Sequence, residues 1–370
     1  MLLLATCVGT LLLGIARAAC PDYSTNITLS NNPSLPDPFR YASGGHVATK
    51  ADWTCRRAQL VSLLQEHEFG WLPRRPFMVA TYLVDKVLTI AMAENSKRVS
   101  FNVTITLPSN KTVADGPFPA LITYHIPTVP LAGNIATITY ASEEIASLSH
   151  GSRARGKFYD MYGSDHSAGS LTAHAWGISR IIDALVAFNS SITGIDTKRI
   201  GVMGCSQYGK SALIAGAFDE RIALTITQDA GVGGPACWRL GGDKHRYSFG
   251  PNFGGSFTRL PFDHHELLAL HAPRGLLVLE KDLPYLQPVA STVCANAGRE
   301  VFKALGVQEN IGFSMLHEGH SMCRLLEEDQ DAVEAFMRKF LLEASNETQI
   351  WRSTKDNTTD RWNWTTPVLN

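Results

Sequence analysis

The chain has 370 residues, 45% hydrophobic and 18% charged, with 33 Lys+Arg against 34 Asp+Glu and a formal net charge of −1. This composition excludes a wholly disordered chain, and the charge balance excludes a polybasic protein built for nucleic acid or a membrane surface. At roughly 100–200 residues per domain the length allows two or three units, but large α/β enzymes often form one.

Leu2 to Ile15 is almost entirely apolar and runs into Ala16-Arg17-Ala18, the small-x-small form of a signal peptidase site. The expectation is a signal peptide over residues 1–18, a mature chain from about Ala19 and an extracellular protein. The apolar run is too short to span a ~30 Å hydrocarbon core, which needs ~20 residues, so no membrane anchor is expected. The leader takes Cys7 with it and leaves Cys20, Cys55, Cys205, Cys237, Cys294 and Cys323 of the seven cysteines. An even set in a secreted chain reads as three disulfides. No Cys/His spacing suggests zinc, and no metal is expected. Sequons at Asn26, Asn102, Asn110, Asn189, Asn346, Asn357 and Asn363 fit a secreted glycoprotein.

Residues 19–50 read as an irregular lead-in rich in Asn, Ser and Pro, followed by a helix over Trp53–Gln65. Between Met78 and Pro108, Val87–Ile90 and Val99–Leu107 alternate in the manner of strands. Thereafter strands and helices take turns. Buried strands are expected at Phe118–Tyr124, Ile135–Tyr140, Arg199–Met203, Ala223–Thr227, Gly275–Glu280 and Ile311–Leu316. Helices are expected at Leu171–Phe188, Gln207–Phe218, Asp263–His271, Thr292–Leu305 and Glu327–Leu342. This pattern implies right-handed crossovers and a mostly parallel sheet covered on both faces, an α/β fold. No linker or repeat divides the chain, so residues 19–344 form one domain and residues 345–370 a polar, loosely attached tail.

The stretch from Arg199 to Lys210 runs from an apolar strand through Gly204-Cys205-Ser206 into a helix. That context places a serine on an exposed, strained corner at the carboxyl end of a parallel sheet, aimed by the helix N-terminus. The spacing is G-x-S-x-x-G, one residue longer than the common G-x-S-x-G, and a simple helix-capping serine is the competing structural role. A serine nucleophile needs a base and a group to orient it, in chain order Ser, acid, His in this fold class. Asp229 ends the next strand, and His317 and His320 lie in the loop after Ile311–Leu316. Glu280, at the end of Gly275–Glu280, is a second candidate acid. His264 and His265 open a helix and read as structural, Trp176 and Trp238 as core or loop-anchoring aromatics, and Asp165-His166 as a structural pair.

The chain resembles the fungal glucuronoyl esterases, the fifteenth family of carbohydrate esterases, from Cys20 to about Leu342. The likeness rests on Asp52–Arg57, Gly156–Gly163, His174–Leu185, Gly204–Lys210, Arg221–Ile226, Gly233–Arg239, Pro261–His265 and Ala272–Gly275. It implies a single-domain, three-layer α/β-hydrolase that needs no cofactor, acting on the ester between 4-O-methyl-D-glucuronate of xylan and an alcohol of lignin. Carried over residue by residue, it makes Ser206 the nucleophile, Asp229 the acid in place of a usual Glu and His320 the base, in preference to His317. Lys210 would bind sugar hydroxyls, and Tyr285 stands where a tryptophan holds the uronate. It also implies the disulfides Cys20–Cys55, Cys237–Cys294 and Cys205–Cys323, and a monomer with no nucleic-acid or membrane partner.

Two departures stand out. Gln207 replaces the arginine that reaches the oxyanion, and the Trp238–Pro261 loop is shorter than in the family, lacking a segment with sugar-contacting Gln and Glu. They leave a second expectation open, a weakly active or inactive homologue that binds cell-wall carbohydrate or acts on another ester.

Overall fold

The computed structural model describes residues 20, 27, 29–125, 127–149, 154–241, 249, 256–316, 322–355 and 360–370. Ten strands form one sheet: β1 (Phe77–Val84), β2 (Val87–Glu94), β3 (Lys97–Thr106), β4 (Phe118–Tyr124), β5 (Ala136–Tyr140), β6 (Ile195–Cys205), β7 (Ile222–Gln228), β8 (Gly275–Lys281), β9 (Ile311–Leu316) and β10 (Trp351–Arg352). Their order is β1-β2-β3-β5-β4-β6-β7-β8-β9-β10. The first three strands and β5 pair antiparallel, and every ladder from β5–β4 to β9–β10 is parallel.

The sequence explains the division. Every residue of β4 and β8 is buried, as a strand covered on both faces must be, whereas β3 alternates buried Phe101, Val103 and Ile105 with exposed neighbours. Successive residues of the central strands feed two separate cores. On one face Ala120, Ile122, Leu276 and Val278 pack with α1 (Lys50–Leu64), α3 (Ser170–Ala187), α5 (Gln207–Phe218), α7 (His264–Ala269) and α8 (Pro288–Ala304). On the other, Leu121, Leu277 and Leu279 pack with Phe336 and Met337 of α9 (Gln330–Phe340). Three layers result. Short helices α2 (Lys157–Tyr162), α4 (Ser190–Thr193) and α6 (Trp238–Gly241) complete the set among the described residues.

Each expected strand and helix is present, with ends moved by a few residues. The expectation of a loose tail is corrected. Trp351-Arg352 adds a parallel strand beside Phe313-Ser314, Trp351 lies under the Arg299 guanidinium, and Leu369 is buried with its N–H donating to Ala304 O at 3.1 Å. Trp364 stacks on Trp362 and His265 and donates to Leu35 O. These tryptophans bring apolar area without periodicity, which is why a polar composition concealed the attachment. The expected signal peptide lies outside the described residues.

The three disulfides join Cys20 to Cys55, Cys205 to Cys323 and Cys237 to Cys294. These are the pairs implied by the family resemblance.

Candidate active site

Ser206 sits between β6 and α5 with φ 57° and ψ −123°, a left-handed conformation rare for a non-glycine residue. The two flanking glycines make the turn possible. A Cβ on Gly204 would lie 2.2 Å from Tyr208 O, and one on Gly209 would lie 2.9 Å from Gln228 O. The Ser206 N–H donates to Gln228 O at 2.8 Å, so the serine is pinned to β7 even as the chain reverses. Strain of this kind costs roughly 1–3 kcal/mol and persists only where the surroundings hold it. The serine caps no helical amide with its side chain, which removes the simple capping role. Its hydroxyl instead lines a cleft of ≈ 210 Å³ with Gln207, Lys210, Asp229, Tyr285 and Met322.

Gln207 opens α5, so its backbone N–H is among the first-turn donors that have no acceptor within the helix. Its side-chain Oε1 is buried and unpartnered. Lys210, one turn further, is buried, and burial lowers its ammonium to about 8, opposed by the Glu280 charge. Among the described residues its Nζ has no hydrogen-bond partner. Tyr285 is half exposed at the rim, in a short turn after β8.

Two carboxyl groups meet behind the serine, from the ends of β7 and β8. Asp229 is buried with φ 46°, its N–H donating to Leu279 O at 2.8 Å. Its Oδ2 accepts from Lys281 Nζ at 3.0 Å and from Cys323 N–H at 2.7 Å. Glu280 accepts from the Ala230 N–H at 2.8 Å and the Gly231 N–H at 3.1 Å. Burial, and then the Asp229 charge, push the Glu280 carboxyl up to about 8. The two acids therefore sit in different surroundings: Glu280 is pushed toward its neutral form, while Asp229 faces a lysine.

His317 and His320 lie outside the described residues, as does most of the 239–260 loop. The described residues after the histidine loop reach the cleft: Met322 lines it, and Cys323 is bonded to Cys205, immediately before the nucleophile. Met322 and Lys281 are what the sequence reading missed. The signal for Lys281 was visible in Glu280-Lys281-Asp282, a second charge buried at the end of an apolar strand.

The other candidates are structural. His264 directs Nδ1 to Gly234 O at 2.5 Å and Nε2 to Glu68 at 2.8 Å, and Trp238 donates to the same Glu68 oxygen. His265 Nε2 faces Pro36 O, Trp176 and Trp238 are fully buried, and His166 Nδ1 accepts from the Ala168 N–H. Two hollows of ≈ 460 Å³ and ≈ 380 Å³ exceed the serine cleft in volume, but neither is lined by Ser206, Asp229 or Lys210.

A family model described as fungal glucuronyl esterase matches residues 90–249 and 246–306. The 4-O-methyl-glucuronoyl methylesterase of Thermothelomyces thermophilus is 43% identical over 338 residues, covering 86% of this chain and 84% of that protein. This chain belongs to the fungal glucuronyl esterase family. The glucuronoyl esterase catalytic domain from Hypocrea jecorina shares the family fold with a TM-score of 0.89 at 40% identity, covering 93% of this chain and 99% of that one. A serine-to-alanine variant of the Sporotrichum thermophile glucuronoyl esterase, solved with methyl 4-O-methyl-β-D-glucopyranuronate, matches with a TM-score of 0.89 at 40% identity, over 94% of this chain and 99% of that one.

Proposed function

We propose that this chain is a secreted serine esterase that hydrolyses esters of 4-O-methyl-D-glucuronate, its natural target being the bond between glucuronoxylan and lignin alcohols. The observation that carries the reading is Ser206, held in a strained turn at the mouth of a cleft it shares with Lys210 and Asp229. Family membership and the relative solved with a methyl glucuronate ester support the substrate class.

In this mechanism Ser206 Oγ attacks the ester carbonyl while His320 takes its proton. The Gln207 backbone N–H, with the Gln207 side-chain amide, receives the oxyanion. His320 then passes the proton to the departing alcohol, and water repeats the sequence on the acyl-enzyme to free the uronate. Asp229 orients the imidazole. It is preferred to Glu280 because Glu280 has both oxygens engaged by backbone amides and a carboxyl pushed up by burial. Asp229 Oδ1 has no partner among the described residues. Lys210 and Tyr285 position the sugar.

The test is hydrolysis of benzyl glucuronate by wild type and Ser206→Ala. A rate lowered by about 10⁴-fold or more in the variant supports the nucleophile. Equal, background-level rates in both would end the esterase reading.

A further inference from the structure

Lys281 is the last residue of β8, and its side chain is 3% exposed against 1% for Asp229. Its Nζ donates to acceptors from different parts of the chain, among them Asp229 Oδ2 and the Arg324 backbone oxygen, each at 3.0 Å. The N–H of neighbouring Cys323 reaches the same Asp229 oxygen at 2.7 Å. One ammonium thus ties the acid that ends β7 to the segment returning from the histidine loop. The Cys205–Cys323 disulfide fastens that segment to the residue before Ser206.

We infer that Lys281 is a positioning residue of the esterase: it fixes Asp229 through Oδ2 and the Arg324 carbonyl, leaving Oδ1 as the oxygen that orients the imidazole. This rests on the reading of Asp229 as the acid. Aspartate has two oxygens and one orienting task, and a carboxylate free to turn presents either oxygen at a variable angle. Two charge-strengthened donors on one oxygen remove that freedom. The lysine also supplies positive charge inside a site where a second carboxyl, Glu280, lies close enough for its proton affinity to be raised by Asp229.

Among the described residues, charged groups come toward Asp229 from three elements, and a backbone amide from a fourth. Lys281 and Glu280 stand on β8, Lys210 on α5 faces Glu280, Asp329 precedes α9 and senses the Asp229 charge, and the Cys323 amide arrives with the return segment. Of the two lysines, Lys281 alone contacts the acid.

The experiment measures kcat, KM and the pH profile of kcat/KM on benzyl glucuronate for wild type, Lys281→Met and Lys281→Arg. Lys281→Met is expected to lower kcat roughly 10–100-fold with KM nearly constant, the cost of a loosened orienting group. Its acid limb moves to higher pH, because removing a nearby cation favours the imidazolium. Lys281→Arg, which keeps the charge, holds the limb at its wild-type position and restores part of kcat. A Lys281→Met enzyme with wild-type kcat, or with kcat and KM worsened together on an unmoved limb, overturns the inference. If Lys281→Met does not fold, Lys281→Arg decides: an unmoved limb supports the role and a displaced one overturns it. Asp229→Asn, measured alongside, separates the two ideas. Activity surviving that change removes Asp229 as the acid, whereas an inactive Asp229→Asn beside an indifferent Lys281→Met overturns only the positioning.

Discussion

The molecule buries two clusters of ionisable groups, and only one lines the cleft of Ser206. Around α7, Glu68, His264 and Trp238 share hydrogen bonds, Asp263 pairs with Arg239 at 3.0 Å, and Glu266 pairs with Arg56 at 2.8 Å. Around the elbow, Asp229 pairs with Lys281, and Glu280 feels the charges of Asp229 and Lys210. Composition does not separate the two clusters, since both hold buried acids and cations. The difference lies in what shares a cleft. His264 has both ring nitrogens engaged, whereas Ser206, Lys210 and Asp229 all line the same ≈ 210 Å³ space. Each cluster holds a buried atom with no partner among the described residues, Glu68 Oε2 in one and Gln207 Oε1 in the other, so the common cleft is what separates them.

The sharpest way to break that comparison is to disturb each cluster at its centre. Asp229→Asn keeps size and most contacts but withdraws the carboxylate charge, and should cut kcat by about 10⁴-fold while the enzyme stays folded. Turnover within about tenfold of wild type would place the acid elsewhere. Glu68→Ala, by contrast, strands His264, whose imidazole the Glu68 charge raises against the opposing effect of burial. It should remove about 3–5 kcal/mol of stability, read from denaturant unfolding, with kcat per folded molecule unchanged. A lost kcat in folded Glu68→Ala would erase the distinction between strut and site.

Much of this was legible in the chain, for reasons that differ by region. The parallel strands were legible because covering both faces of a sheet demands unbroken apolar runs, as in Phe118–Tyr124 and Gly275–Lys281. The elbow was legible because its sharp turn needs glycines at fixed offsets from a serine. The choice between Asp229 and Glu280 was not legible in the residues themselves and came only from the family resemblance, since both stand at the ends of apolar strands and differ in which backbone amides and which lysine they meet in space. Nor was the packed tail, whose Trp351, Trp362 and Trp364 follow no period. The role of His264-His265 as structure was legible from position, at the start of a helix capped by Asp263.

A smaller effect is expected at the oxyanion. Gln207 offers an amide where the family resemblance implies an arginine, and its buried Oε1 has no partner among the described residues. Gln207→Arg should raise kcat roughly tenfold, a fraction of the ~10²–10³ that a full oxyanion donor is worth. An unchanged rate would show that the backbone N–H already suffices without a cation.

The finest test compares the two raised glutamates, Glu280 at about 8 and Glu266 at about 7, both driven up first by burial. A carboxyl whose folded value exceeds its unfolded value contributes stability that is full below the unfolded value and is lost as pH rises through the folded one. For Glu280 that window runs from 4.5 to about 8. The stability gap between wild type and Glu280→Gln should therefore narrow, or turn in favour of the variant, as pH rises across it. For Glu266→Gln the same narrowing should end about one unit earlier, near 7. The buried histidines His174, His265 and His271, held low by burial, lose stability in the opposite direction on acidification but act alike in wild type and variants, and cancel in the difference. Glutamine can still accept from the Ala230 and Gly231 amides, so Glu280→Gln should retain far more turnover than Asp229→Asn. Melting temperatures across this pH range, with kcat at one pH, check both halves. An inactive Glu280→Gln enzyme beside an Asp229→Asn enzyme that keeps its turnover would make Glu280 the acid and leave Asp229, tied to Lys281 and Cys323, as a strut inside the site.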